Sequence, residues 1–264
     1  MTNRFDGRIA LITGAGSPTG IGFATARLLG REGASVAIAS TTERIAGRVA
    51  ELRATGISAS GHLGNLTRDG VAGRIVDEAL AEHGRIDILV NSAGMTSVGE
   101  PDVDLSFLET SEAEWDRVIA LNLRTAFSVT RAALPALLAS SPGGRIIFVS
   151  SVTGPLVSNP RSAGYAAAKA GLTGLARSLA VEHGRDGLTV NCVLPGWIAS
   201  GSQLPEEVVA GANTPVGRSG TVDEVAEAIA FLASPGASYV TGQTLIVDGG
   251  NVVQEYKGPP GDYY

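Results

Sequence analysis

The sequence predicts an α/β fold, a single-domain doubly wound parallel sheet of about seven strands with helices on both faces. Three observations predict it. Apolar runs of strand length recur between helix-length segments along the whole chain. Several of them, Ile146-Ile147-Phe148-Val149 above all, are continuously apolar rather than alternating. That pattern marks a strand covered on both faces, hence parallel pairing through right-handed helical crossovers. The 264 residues, 44% hydrophobic, suit one large core better than two small ones.

Each element has a local reason. A first strand at 8–13 runs into the glycine stretch TGAGSPTGIG, and residues 22–32 read as a helix rich in Ala, Arg and Leu. Further strands are expected at 35–40, 58–63, 87–90, 145–150, 188–194 and 244–247. Ser111 with Glu114, and Thr221 with Glu224, have capping-box spacing, in which hydroxyl and carboxylate each satisfy an orphan backbone donor. They place helices near 112–139 and 222–233, and Pro135 is expected to kink or end the first. Irregular stretches at 95–110, 152–164 and 195–220 each follow a strand, which puts them at the carboxyl edge of the sheet, where open α/β folds bind ligands. No linker or repeat divides 1–264; within it 195–220 reads as a substrate lid and 251–264 as a C-terminal extension.

Strand, glycine loop and helix in that order seat a dinucleotide pyrophosphate, because backbone N–H groups and the helix dipole point at the anion. A plain tight turn would use the same glycines, so the end of the second strand matters. Ser40, Thr41 and Thr42, followed by Arg44, stand where an NAD enzyme carries an acid against the ribose 2′-hydroxyl. Hydroxyl donors and a cation suit a 2′-phosphate instead, and NADP(H) is the expected cofactor. Capping the next helix is a second, compatible role for that run.

Farther along, Tyr165 and Lys169 are four apart and share one helix face. An ammonium beside a phenol favours the phenolate and brings proton transfer toward working pH. Ser151 ends an apolar strand at the edge where reacting groups sit. Taken singly, these are equally an Ala-rich helix and a strand-end turn.

A formal charge of −6 and the lack of any Lys/Arg run exclude nucleic acid as a main partner. Cys192 is the single cysteine, so no internal disulfide forms, and His62, His83 and His183 lack metal-ligand spacing; no metal is expected. No leader-like segment and no apolar run of membrane length are seen, so a cytoplasmic chain with no membrane partner is expected.

On these residues the sequence resembles the short-chain dehydrogenase/reductase family, from Arg8 to Gly250. Gly14, Gly16, Thr19, Gly20, Ile21 and Gly22 fall on its nucleotide loop, and Asn65 and Leu66 of GNLT on its adenine contact. Asn91, Ala93 and Gly94 of DILVNSAG match the segment after its fourth strand, and Asn122 of LNLRTAF its helix asparagine. Pro195, Gly196, Ile198 and Ser200 of LPGWIAS fall on its nicotinamide border, and VTGQTLIVDGG is similar to its last strand. Ser151, Tyr165 and Lys169 match its catalytic serine, tyrosine and lysine. The resemblance, to the family's 3-oxoacyl reductase-like branch, implies a Rossmann-type fold and reduction of a small ketone or a 3-oxoacyl compound by hydride from NADP(H). It gives Tyr165 the proton donation, Ser151 the carbonyl oxygen, Lys169 the nicotinamide ribose and the tuning of the tyrosine, and Asn122 a water relay. It also implies a homo-oligomer, tetramer or dimer, built on the helices around Asn122 and Tyr165 and on the last strand.

The sequence departs from the family pattern in places. Ser17-Pro18-Thr19 lengthen the glycine loop, Asn65 replaces an aspartate, Ser92 an asparagine and Ser200 a threonine, and 151–165 is slightly long. An NAD-linked alcohol or sugar dehydrogenase is the alternative reading. A non-catalytic dinucleotide sensor is opposed by the intact Ser151, Tyr165 and Lys169. Enoyl reductases share a long glycine loop but space Tyr and Lys as Y-x6-K, whereas the residue seven after Tyr165 is Leu172. Ahead of the serine strand, LLASSPGGR offers only Arg145 to an acidic carrier protein, so small free ketones are the expected substrates. Trp197, Leu204, Val208 and Val209 either face a hydrophobic substrate or pack the lid down.

Overall fold

The computed structural model describes residues 3–94, 105–140 and 143–255. Its strands are β1 (Ile9–Thr13), β2 (Ser35–Ser40), β3 (Ala59–Leu63), β4 (Ile88–Asn91), β5 (Arg145–Val149), β6 (Thr189–Pro195), β7 (Ile198–Ala199), β8 (Gly220–Thr221) and β9 (Thr244–Val247). Seven of them form one parallel sheet in the order β3-β2-β1-β4-β5-β6-β9, while β7 and β8 pair apart. The expected doubly wound sheet is present, with strand ends displaced by a residue or so. Strand order reverses between β1 and β4, which opens the crevice where such sheets bind ligands.

The helices are α1 (Ile21–Arg31), α2 (Arg44–Ala54), α3 (Val71–His83), α4 (Glu112–Ile119), α5 (Thr125–Leu138), α6 (Ala163–His183), α7 (Pro205–Ala212) and α8 (Val222–Ala233). Alternate strand residues face opposite helical layers. Ile12, Ile38, Val90 and Val149 share a core with Phe23 and Leu29 of α1, Ile45 and Val49 of α2 and Ile229 of α8. Leu11, Leu89, Ile146 and Phe148 share the other with Ile75 of α3, Val129 and Leu137 of α5 and Leu172 of α6. Each such side chain stabilises by about 1.5–3 kcal/mol relative to exposure. Both faces need this burial, and the strands are therefore continuously apolar.

Asp87, expected inside the fourth strand, lies just before it for a different reason. Fully buried, its carboxylate accepts the Ile9 N–H at 2.9 Å, Ser140 Oγ at 2.5 Å and Arg85 Nε at 3.0 Å. It pins the start of β1 to the start of β4.

The helix expected near 112–139 is α4 and α5 joined by a π-turn at Ala120–Arg124. Pro135 lies inside α5, which continues to Leu138. At Thr221 both arms of the capping box form: the hydroxyl accepts the Glu224 N–H at 3.1 Å and the carboxylate accepts the Thr221 N–H at 2.7 Å. At Ser111 only the hydroxyl arm forms, at 3.2 Å, because Arg117 Nη2 takes the Glu114 carboxylate at 2.6 Å. An ion pair within the helix outcompetes the second cap bond. The lid candidate 195–220 is not irregular throughout; it holds β7, α7 and the start of β8. Of the C-terminal extension, Gln254 donates to Asn213 O at 2.9 Å. Residues 95–104 of the irregular stretch 95–110, and 256–264 of the extension, lie outside the described residues. Among the described residues no helix is long and apolar enough to cross a membrane.

Candidate active site

The carboxyl ends of β1, β4, β5 and β6 converge on the crevice. Beyond β1, Gly14 turns at φ +71°, and a Cβ there would stand 2.6 Å from Ser92 O and 2.7 Å from Ala93 N. Glycine alone lets the loop seat against the end of β4. Thr13 locks the same junction, its Oγ1 accepting the N–H groups of Ser92 at 3.2 Å and Ala93 at 3.1 Å. Sequence reasoning passes over Thr13, although a hydroxyl closing a strand before a glycine loop is an available signal. A Cβ on Gly22 would meet Gly14 O at 2.7 Å, and one on Gly16 would collide with Ser40 Oγ. Gly14, Gly16, Gly22 and Ser40 thus come together.

The start of α1 fits an anion. It follows Gly20 with no side-chain cap and no acidic residue in its first turn. The first-turn amides and the positive end of the helix dipole face outward from Ile21 and Gly22. Beside them, Ser40 Oγ accepts the Thr42 N–H at 3.4 Å and Arg44 Nε donates to Thr42 Oγ1 at 3.2 Å. Thr41 and Arg44 are exposed, so hydroxyls and a guanidinium stand together at the end of β2. These residues fit a phosphorylated dinucleotide. Asn65 fits its expected role less well: Oδ1 accepts both the N–H and the O–H of Thr67, at 3.0 and 2.7 Å. Those two bonds occupy the lone pairs expected for the adenine amine. Leu66 beside it is buried.

At the other side of the crevice, Lys169 is buried on α6. Its Nζ donates to Val149 O at 3.1 Å and lies 5.4 Å from the Tyr165 ring centroid. Burial pulls its pKa from 10.5 down to about 8, with Cys192 opposing. Ser150 Oγ donates to Lys169 O at 2.8 Å and so pins α6 to the end of β5. Ser151 is buried too, its Oγ accepting the Thr153 N–H at 3.1 Å.

Asn122 sits in the π-turn, whose wider hydrogen-bond pattern disturbs the regular partner of Val118 O. Asn122 Nδ2 donates to that carbonyl at 3.1 Å. A Cβ on Gly94 would then stand 3.0 Å from Asn122 Oδ1 and 3.3 Å from Lys169 Nζ. Three segments far apart in the chain therefore meet at one point. Asn91, by contrast, braces β4 on α5 through a 3.0 Å bond from Nδ2 to Thr130 Oγ1.

Gly196 packs on Asp248, whose Cβ would be 2.6 Å from a glycine Cβ, and its N–H reaches Val247 O at 3.0 Å. This holds Pro195 and Gly196 at the end of β9, with Ile198 following on β7. Ser200 Oγ lies 3.0 Å from Ser202 Oγ. A Cβ on Gly201 would collide with Thr19 Oγ1, so the lid candidate begins against the lengthened part of the glycine loop. Trp197 is partly buried, whereas Leu204, Val208 and Val209 are exposed.

Arg145 is buried and donates to Gly143 O and Gly144 O at 3.2 and 2.9 Å, so it offers nothing to a docking partner. Arg68, Arg124 and Arg131 instead line a cleft of about 410 Å³ beside α5, with Asp69 on Arg124 at 2.5 Å. The 137–145 segment alone gives no sign of them: Arg131 lies earlier on α5, Arg124 just before that helix, and Arg68 ahead of α3. Among the described residues no group of three or more His, Cys, Asp or Glu side chains is placed to hold a metal ion.

Comparison with known proteins agrees with this geometry. The model of a family described as enoyl-(acyl carrier protein) reductase matches residues 14–251. The 3-oxoacyl-[acyl-carrier-protein] reductase of Escherichia coli is 40% identical over 93% of this chain and 98% of its own length. A cis-4-hydroxycyclohexanecarboxylate dehydrogenase of Sinomonas cyclohexanicum is 41% identical over 95% of this chain and 98% of its own. Among solved structures, a dehydrogenase/reductase of Sinorhizobium meliloti superposes with a TM-score of 0.87 at 32% identity, covering 95% of this chain and 97% of the other.

Proposed function

The chain belongs to the short-chain dehydrogenase/reductase family, in its 3-oxoacyl reductase-like branch, and from that premise we propose that it reduces a ketone to a secondary alcohol with NADP(H). One observation carries the reading: Asn122 Oδ1 and Lys169 Nζ converge at Gly94, with the Tyr165 ring beside the ammonium. Gly14, Gly16, Thr19, Gly20, Ile21 and Gly22 would hold the pyrophosphate, and Ser40, Thr41, Thr42 and Arg44 the 2′-phosphate. Pro195, Gly196, Ile198 and Ser200 would border the nicotinamide, which supplies the hydride when bound.

The chain's own residues manage the proton. Tyr165 donates it to the carbonyl oxygen, which the Ser151 hydroxyl holds and polarises. Lys169, withdrawn from water, acts on the phenol through a poorly screened field and stabilises the phenolate left behind. Asn122 Oδ1, facing the same point as the ammonium, accepts from the water that returns the proton.

The four-residue spacing of Tyr165 and Lys169 argues against enoyl reduction despite the description of the matching family. Small free ketones remain the favoured substrates, since Arg145 is buried. A second reading, a carrier-bound 3-oxoacyl substrate, is favoured by the arginine-lined cleft beside α5 and by the 40% identical reductases. A third, alcohol oxidation, draws on the Sinomonas relative. Phe127 on α5, Val181 on α6 and Ile246 on β9 are exposed apolar side chains and support a homo-oligomer on those elements. We read the chain as cytoplasmic.

The test compares kcat and KM for a panel of ketones and acyl-carrier ketoesters with NADPH and NADH. Tyr165→Phe is expected to cut kcat at least about a hundredfold with NADPH affinity unchanged. Wild-type turnover in that variant would sink the reading.

A further inference from the structure

The fold gathers two of the three histidines that look scattered in the sequence. Ser60 and His62, two apart on the edge strand β3, point to the α3 side of the sheet. Ser60 Oγ lies 2.9 Å from His62 Nε2 and 2.8 Å from His83 Nε2. His62 Nδ1 lies 3.2 Å from Glu78 Oε2, and Arg74 Nη1 holds the other oxygen of that carboxylate at 2.5 Å. Against the cost of burial, the bonds from Arg74 and His62 keep the Glu78 carboxyl below its ordinary pKa, so it stays ionised. Ser60 and His62 are buried but line a cleft of about 470 Å³ together with Arg53, Gly61, Glu78, Ala81 and Glu82. None of these residues belongs to the nicotinamide site.

One hydrogen-bond assignment satisfies all three contacts: His83 Nε2–H donates to Ser60 Oγ, Ser60 O–H to His62 Nε2, and His62 Nδ1–H to Glu78. Nucleophile, base and orienting carboxylate are then in bonded sequence beside open space, the arrangement that activates a serine hydroxyl. We propose that Ser60, with His62 as base and Glu78 as its positioning carboxylate, is a second reactive centre that takes acyl groups from small activated esters.

Ser60 Oγ bonds to the ester carbonyl carbon as its proton passes to His62 Nε2. The carbon–oxygen bond to the leaving alcohol breaks, and that alcohol carries the proton away. Water then attacks the acyl-serine by the same route, releasing a carboxylic acid and restoring Ser60. Arg53, which lines the same cleft, supplies the cation for the developing oxyanion.

The experiment treats the full-length protein with a fluorophosphonate and locates the adduct by peptide mass spectrometry, alongside p-nitrophenyl acetate hydrolysis. The expected result is one adduct, at Ser60. Ser60→Ala is expected to remove the adduct and slow hydrolysis at least about a hundredfold, while NADPH-linked ketone reduction persists and reports an intact fold. Glu78→Gln, which keeps the shape of the site, is expected to slow labelling of Ser60. No adduct on the wild-type chain, an adduct at another residue, or hydrolysis unchanged in a folded Ser60→Ala would overturn the proposal.

Discussion

The nucleotide side and the lid side of the crevice both depend on glycines, but Gly14 and Gly22 on the first face different atoms from Gly201 on the second. Gly14 and Gly22 face backbone, namely Ser92 O, Ala93 N and Gly14 O, at 2.6 to 2.7 Å from where a Cβ would stand. Gly201, in the lid, faces the hydroxyl of Thr19. Backbone at the end of a buried strand has nowhere to go, whereas a short side chain turns about one bond. Around Gly14 and Gly22 the nucleotide side is therefore a rigid cradle, and at Gly201 the lid is a surface resting on the glycine loop.

That contrast can be broken most directly at Gly14. Gly14→Ala adds a Cβ against backbone at a positive φ and is expected to lower Tm by about 5–15 °C and to abolish NADPH binding. A near-wild-type melting curve would mean that the cradle yields as the lid does. Lys169→Met probes the floor between the two sides. Between pH 8 and 10.5 the unfolded chain binds a proton that the folded chain has released, so stability climbs as pH rises through that window. Below about 8 the folded protein carries a buried charge, and removing it is expected to raise Tm at pH 6 by roughly 2–8 °C while activity is lost.

Gly201→Ala comes next. Thr19 can rotate away, so Tm should change by no more than about 2 °C, while KM for ketones shifts about two- to fivefold as the lid is displaced. A collapse like that of Gly14→Ala would erase the distinction. The smallest effect belongs to Glu224 at the start of α8. The hydrogen bond from Arg218 and the one from the Thr221 N–H hold its carboxyl at about 2. Its contribution is complete above the ordinary 4.5 and is lost as pH falls through about 2. Because this carboxylate is exposed, Glu224→Gln should lower Tm at pH 6 by only about 1–2 °C.

Much of the site is legible in the chain itself because its signals are local. A glycine loop between strand and helix, and a tyrosine one turn before a lysine, are short-range patterns, and the sheet follows from the apolar runs between them. What the sequence hides depends on competition among groups distant in the chain or on partners it does not rank. Glu114 has the spacing of a cap but finds Arg117, and Asn65 has the chemistry of an adenine contact but turns to Thr67. Arg145 counts as surface charge by its neighbours but is spent on buried carbonyls. The π-turn at Asn122 adds no mark to the hydrophobic period, so the extended helix conceals it.

The linear order of residues determined the parallel sheet, the place of the glycine loop and the shared face of Tyr165 and Lys169, since backbone freedom, burial and helical period act over a few residues. Only the tertiary structure decided that Gly94, Asn122 and Lys169 meet, that the lid starts on Thr19, and that Ser60, His62, His83 and Glu78 form one bonded chain. Those meetings depend on which donors, acceptors and backbones reach the same volume first, and sequence distance does not measure that.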